Sequence, residues 1–368
     1  MLMVFKILFI AAVAVHGLIH LMGFAKAFKF AELEQLTQPI SKSFGLLWLI
    51  ATALFLVTIP IYLLKKDWWW MVALIAVIIS QLVIFFSWQD AKFGTIANVI
   101  IIIAVVLSYG EWSFGGWYKT EAEVGLAQTA KMSASVLSET DIEPLPEPVK
   151  KYLRYTGAIG KPKVNNFKVK FVGKLRKNDE SEWMPFTSEQ YNFQESATRL
   201  FFMNAVMTNL PVAGFHCFKN GKAFMDIRLL SLLKVQYQDG EEMNTAETVT
   251  FFNDMCCMAP ATLIDKRIKW LETDNSKVKA EFTNNGITIT AWLYFNDKGK
   301  LINFISNDRF NVDAGEKLPW STPLKDYKEI NGRKIPGYAE AVYSYPKGDS
   351  AYGTFSFSSI EYNVKDFD

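Results

Sequence analysis

Hydrophobic positions in the first third of this chain form long uninterrupted runs, whereas from Lys163 onward they tend to alternate with polar ones. Ile7 to Ala25 holds nineteen residues without a formal charge. At about 1.5 Å per residue, such a helix nearly crosses a hydrocarbon core of roughly 30 Å. Ser43 to Leu64, Trp68 to Gln89 and Phe93 to Gly110 repeat the pattern with Lys- or Asp-bearing links, so four membrane helices are expected over residues 1–112. Trp68-Trp69-Trp70, Trp88 and the Trp112 to Tyr118 stretch stand at run ends, where amphipathic rings favour the headgroup level. A cleaved signal peptide is the competing reading of the first run. No small-residue cleavage pattern closes that run, however, and three further spans make cleavage unnecessary for targeting. Loop charge gives no orientation: four lysines fall on each side, with both termini on the same side.

Residues 113–148 read as a linker. Gly115-Gly116 precedes helix-compatible Thr120 to Ser138, and Glu143-Pro-Leu-Pro-Glu-Pro148 acts as a stop. Pro148 suits the first turn of a short helix, Val149 to Tyr155, ended by Gly157. Strand signals follow at Val164 to Val172, Tyr191 to Phe193, Arg199 to Val206, Val278 to Phe282, Ile287 to Phe295, Leu301 to Phe310 and Tyr352 to Tyr362. Asn284-Asn285-Gly286 and Asn296 to Gly299 supply turns. Thr245 to Met258 is predicted as a helix, with Thr245 its cap, Glu242 and Glu247 near its start, and Pro260 its stop. The predicted fold is α+β. It has an N-terminal four-helix transmembrane region and, over 149–368, a curved antiparallel β-sheet packed on one or two helices.

Composition narrows the function mainly by exclusion. A formal charge of +2 argues against a nucleic-acid binder that relies on phosphate neutralisation. Three Cys and three His exclude a multi-disulfide scaffold and the usual four-ligand zinc cluster, and no metal or cofactor is assigned. There is no Walker sequence and no GxGxxG between strand and helix. His16 and His20, at i and i+4, share one helix face. Three readings stand for them: hydrogen bonds to Ser80, Gln81 or Asn98 inside the bundle, ligation of a metal or haem or contact with a quinone, or exposure to water near one interface.

Outside the membrane the sole histidine is His216. Its neighbour Cys217 would point to the opposite face of a strand, so the two form no dyad. Cys256-Cys257 read first as buried small hydrophobes. Glu241, Glu242 and Asp226 are expected on the solvated surface, Lys174 to Glu182 as a polar hairpin, and Asp308-Arg309 as an exposed ion pair of little energetic weight. Aromatic residues make up 15% of the chain. Phe202, Phe251, Trp292, Phe304, Trp320 and Tyr327, together with His216, are the candidate ligand-binding residues. Rings of this kind either line a curved sheet that encloses an acyl chain or fill a solid core.

Asp308-Arg-Phe310, Pro319-Trp320, Asp326-Tyr327, Asn331-Gly332, Ile335-Pro336 and the closing strand Phe355 to Asn363 resemble a pattern of an uncharacterised family of bacterial multi-span membrane proteins. Gly214-Phe-His216, Gly221 to Met225 and Ala259 to Ile264 are similar to that family as well, so the resemblance covers about Pro146 to Asn363. The order of helix, long strands and a tyrosine-bearing segment also resembles the LolA-type lipoprotein-carrier superfamily, a curved antiparallel sheet around helical plugs. This resemblance implies an integral protein of a bacterial inner membrane. Its extracytoplasmic C-terminal domain would bind a lipid-like ligand or a lipidated partner without catalysis, with membrane lipids as further partners. A membrane-tethered sensor of envelope state and an enzyme using His216 stand as alternatives. Four helices, in place of a soluble or lipid-anchored form, make shuttling across an envelope space unexpected. The oligomeric state stays open.

Overall fold

The computed structural model describes residues 2–133, 135–312 and 314–367; position 134, inside the expected linker, and Asp368, the expected end of the domain, lie outside them. The chain divides into two units, Met1–Phe114 and Gly115–Asp368. Helices α1 (Leu2–Ile19), α2 (Leu21–Ala27), α3 (Lys42–Leu63), α4 (Trp69–Phe86), α5 (Trp88–Ala91) and the start of α6 (Gly94–Thr129) build the first unit. Val4–Ala27, Lys42–Leu63, Trp69–Phe86 and Gly94–Thr129 are long and apolar enough to cross a membrane. Their interior is Val13, Phe55, Ala73, Ala76, Ile101 and Val105, yet Phe5, Ile78 and Ile103 are equally apolar and face outward. Helices apolar on every side have no face to offer water, which is the pattern of a bilayer protein. Small residues set the packing distance: a Cβ at Gly23 would meet the Trp48 indole at 2.1 Å, and one at Gly17 would meet Phe55 Cβ at 2.8 Å. The first span is broken at His20, whose amide bonds to Gly17 O at 3.2 Å before α2 begins.

Within the segment read as a linker, α6 continues through Gly115-Gly116 to Thr129 as one helix of 36 residues. Two glycines cost about 1 kcal/mol each against alanine, and burial of Tyr118, Ala122 and Leu126 beyond them offsets that. Helix α7 (Glu139–Ile142) opens on a capping box between Ser138 and Asp141. Helix α8 (Glu147–Tyr155) carries Pro148 in its first turn, and Gly157 follows its end at φ +66°.

The second unit holds a 14-stranded sheet whose pairs are all antiparallel. Its strands are β1 (Asn166–Leu175), β2 (Met184–Phe193), β3 (Thr198–Met207), β4 (Leu210–Lys219), β5 (Lys222–Leu229), β6 (Leu233–Gln238), β7 (Ile268–Thr273), β8 (Lys277–Asn284), β9 (Ile287–Phe295) and β10 (Leu301–Ser306). The closing strands Tyr338–Tyr345 and Gly348–Tyr362 and the two-residue pieces Trp320–Ser321 and Leu324–Lys325 complete it. In space the order is β6-β5-β4-β3-β2-β1, then Gly348–Tyr362, Tyr338–Tyr345 and Trp320–Ser321, then β10-β9-β8-β7. The expected strand from Leu301 to Phe310 stops at Ser306, and only Phe310–Asn311 resumes pairing.

Helix α9 (Glu241–Met258) connects the two edge strands, β6 and β7. Its Phe251 ring meets Phe218 of β4 at 6.1 Å and Phe282 of β8 at 6.2 Å, although β4 and β8 stand nine places apart in the sheet order. In a flat sheet nine spacings amount to about 43 Å, so these contacts require the sheet to curl round the helix. Thr245 is not the cap of this helix. Gly240, at φ +99°, turns the chain one turn earlier, and Thr245 Oγ1 instead donates to Glu241 O at 3.0 Å. Phe252 stacks on Phe282 at 5.2 Å and meets Phe304 edge-on at 5.7 Å, while Tyr152 OH donates to Cys256 O at 2.8 Å. The centre of the domain is therefore filled by α9. Replacing Phe252 by Ala is expected to cost about 3–5 kcal/mol, measured by denaturant unfolding of the chain in detergent through its sheet circular dichroism. A loss below about 1 kcal/mol would contradict close packing at this position.

Candidate functional site: a buried charge cluster and the cleft beside it

Two carboxylates seven residues apart on a helix lie two turns apart on one face. On α9 these are Glu247 and Asp254, and both are buried. Strand β3 supplies the cation. Arg199 Nη1 donates to Glu247 at 3.0 Å and its Nε to Asp254 Oδ2 at 2.9 Å, while Nη2 reaches Gln190 Oε1 at 3.0 Å. Gln190 and Asn192 of β2 complete the shell by donating to Asp254 Oδ2 at 2.7 and 3.1 Å. Burial alone would raise the Glu247 carboxyl, but Arg199, then Arg309 and His216, hold it below its ordinary value. Asp254 goes the other way: burial outweighs Arg199 and Asn192 and raises it.

A second cation close to α9, the partly buried Arg309, does not pair with Asp308. Neighbours on an extended segment point apart. Asp308 accepts from Thr290 N at 2.7 Å and Thr290 Oγ1 at 3.1 Å, while the Arg309 guanidinium turns inward to Ala246 O at 2.9 Å, Thr250 Oγ1 and Tyr343 OH at 3.2 Å. It lies 4.7 Å from the Trp320 ring. These three hydrogen-bond partners are all neutral. Asp226 also departs from expectation. It is 1% exposed and held by Arg228 at 2.8 Å and Lys234 at 3.8 Å, on the same sheet face as Phe224 and as Phe215, its own cross-strand partner.

The candidate ligand-binding residues do not converge. Phe251, Phe304 and Trp320 lie in the core around α9, with Trp320 Nε1 donating to Tyr352 OH at 3.0 Å. Phe202 is on the outer face of β3, against Tyr118 at 5.2 Å and Phe215 at 6.3 Å. Trp292 is on the outer face of β9, beneath Lys277 and Lys279. Tyr327 closes the rim, its OH donating to Leu301 O at 2.8 Å. His216 faces inward beside Phe201, ring to ring at 5.6 Å. Burial first, then Arg199 and Arg309, bring its imidazole down to about 4 against the pull of Glu247. Burial pushes the Cys217 thiol up to about 12 and those of Cys256 and Cys257 well above their ordinary value, so none is an activated nucleophile.

In the first unit His16 Nε2 meets Asn98 Oδ1 at 2.9 Å and Ser80 Oγ at 3.2 Å. His20 Nδ1 donates to His16 O at 2.8 Å, which leaves its Nε2 to accept from Ser80 Oγ at 2.9 Å. Asn98 Nδ2 then donates to Gln81 Oε1 at 3.0 Å. Among the described residues no group of three or more His, Cys, Asp or Glu is arranged to hold a metal ion.

A cleft of about 200 Å³ opens at the start of α9, lined by Gln238, Asp239, Glu242, Met243, Ala246, Phe310 and Val312. Two of these border the partly buried cation: Ala246 gives its carbonyl to Arg309, and Phe310 follows it in the chain.

Residues 135–355 match the model of a family of unknown function, DUF6544. The chain belongs to that family. Arg199, His216, Glu247, Asp254, Arg309 and every residue lining the cleft fall inside the DUF6544 segment. Among curated proteins no match is found. The solved structure of a LolA superfamily protein from Nitrosomonas europaea is similar over 60% of this chain and 94% of that one, at 10% identity and a TM-score of 0.35. That of a DUF1329 family protein from Desulfovibrio piger is similar over the same shares, at 9% identity and a TM-score of 0.35. Likeness at that level carries no inference about function.

The DUF6544 segment should be sensitive to acid for a definable reason. Folded His216 titrates near 4 and its ordinary value is 6.5, so between these values the unfolded chain binds the extra proton and stability falls as pH drops. Glu247, lowered in the fold, adds to the loss as pH falls through its folded value; Asp254, raised, opposes it. His216→Gln is expected to flatten the dependence of unfolding free energy between pH 6.5 and about 4, by at most about 1.4 kcal/mol per pH unit. Identical slopes for both proteins would contradict the buried neutral imidazole.

Proposed function

We propose that this protein is a membrane-anchored binding protein, and that the cleft at the start of α9 holds one end of an amphipathic, lipid-like ligand. The observation that carries the reading is the cleft's chemistry. Met243, Ala246, Phe310 and Val312 supply an apolar wall, Gln238, Asp239 and Glu242 a polar rim, and the Arg309 guanidinium bonds to the Ala246 carbonyl. A volume of about 200 Å³ is below the several hundred usual for a whole small-molecule site, so it suits a headgroup or a chain end rather than a complete lipid. The core supports the same limit, because α9 and its aromatic neighbours occupy the space an enclosed acyl chain would need. A binding role fits the site better than catalysis, since the thiols stay protonated and none of the hydrogen bonds described puts a nucleophile on His216. By the resemblance drawn from the sequence, the domain belongs on the extracytoplasmic side of a bacterial inner membrane.

A benzophenone amino acid at the exposed Val312, in the full chain in native membranes, tests this reading. Irradiation is expected to attach a lipid-mass adduct to the peptide bearing position 312, with little or none when the same group replaces Trp292. Equal yields at both positions, or no adduct at 312, would remove the cleft as the binding site.

A further inference from the structure

Two neighbouring hairpins end in apolar tips. Val206, Met207 and Leu210 flank the turn from β3 to β4, and Leu229, Leu230, Leu232, Leu233 and Val235 surround the turn from β5 to β6. Pairing of Val212 with Leu229 and the bond from Leu230 N to Pro211 O at 2.8 Å hold the two tips side by side. Leu233 is 61% exposed, Val206 55% and Val235 51%. Local chemistry would choose otherwise. Leu230 and Ser231 stand at φ +55° and +57°, in a turn where Asn-Gly is the favoured pair, so a leucine is carried there against backbone preference.

The charges around the tips have one sign at the surface. Between positions 206 and 237 the single acidic residue is Asp226, and it is buried. Arg228 and Lys234 flank the leucine turn, both reaching back to that carboxylate, while Tyr237 follows on the edge strand with Lys234 4.3 Å from its ring. Aliphatic residues at the apex, then cations and a tyrosine behind them, is the layering of a protein surface seated at a membrane interface. The same chain carries four helices suited to cross a bilayer, so such a surface is always within reach.

We infer that the paired β3–β4 and β5–β6 tips dock on the surface of an anionic lipid bilayer, with the leucines below the headgroups and Arg228 and Lys234 level with them. This goes beyond the ligand cleft and stands independently of it, since no residue lining the cleft is one of the apolar tip residues.

The full chain in nanodiscs of phosphatidylcholine and phosphatidylglycerol provides the test. Leu233→Cys is labelled with an environment-sensitive fluorophore, and Leu271→Cys on the other edge strand is the control, since both residues are exposed and the three native cysteines are buried. Doxyl lipid is expected to quench the probe at 233 roughly threefold more than at 271, with iodide showing the reverse, as interfacial insertion requires. Adding Leu230→Ser and Leu210→Ser should abolish the difference. Equal doxyl quenching at both positions would overturn the inference. So would protection at 233 from iodide without doxyl quenching, which would assign the tips to a second copy or another protein.

Discussion

Everything in the second unit depends on how Glu247 and Asp254 are neutralised. Two carboxylates in the middle of a sheet-wrapped helix are among the most expensive groups a fold can bury, and an uncompensated one costs several kcal/mol. Arg199 reaches both from a single guanidinium, and Gln190 and Asn192 add two further donors to Asp254 Oδ2. Satisfied in this way, the polar side of α9 can face β2 and β3 while its apolar side packs against Phe218, Phe282 and Phe304. A helix buried on all sides then has one place to sit and one rotation about its own axis. The curl of the sheet follows, because β4 and β8 must both reach the same helix.

That arrangement decides where function can reside. With the interior occupied, a ligand has access to the cleft at the start of α9, and a surface partner has access to the hairpin tips. The partly buried Arg309 is held by neutral oxygens and the face of Trp320, next to the cleft lining, which is where a partly desolvated positive charge has most influence on a bound group. In the first unit the same principle works with neutral groups: His16, His20, Ser80, Asn98 and Gln81 satisfy one another inside an apolar bundle.

The architecture was legible wherever local pattern and burial coincide. Four spans follow from run length, and β9 is found at both ends because Ile287 to Phe295 alternates cleanly between two turns. Strands β4 and β6 were not legible, for opposite reasons. The stretch Val212 to Phe215 is buried on both faces and β6 is mostly exposed on both, so neither shows period-two contrast. The aromatic set is dispersed because successive residues of a strand alternate in direction, so Phe202 lies on the face of β3 opposite to its neighbour Phe201. Arg309 beside Asp308 looked like a surface pair, since sequence adjacency says nothing about direction across an extended backbone. The signal for the true cluster was available: Glu247 and Asp254, spaced two turns apart among Phe, Met and Cys, marked a charged stripe on an otherwise apolar helix.

A double-mutant cycle between Arg199→Met and Glu247→Gln, read by denaturant unfolding of the full chain in detergent, tests this account most directly. Arg199→Met alone is expected to cost about 3–5 kcal/mol, because it strands both carboxylates, and much of that loss should be recovered when Glu247→Gln is added. A cost for Arg199→Met under about 1 kcal/mol, or strictly additive single and double changes, would mean that the cluster does not hold α9 in the sheet.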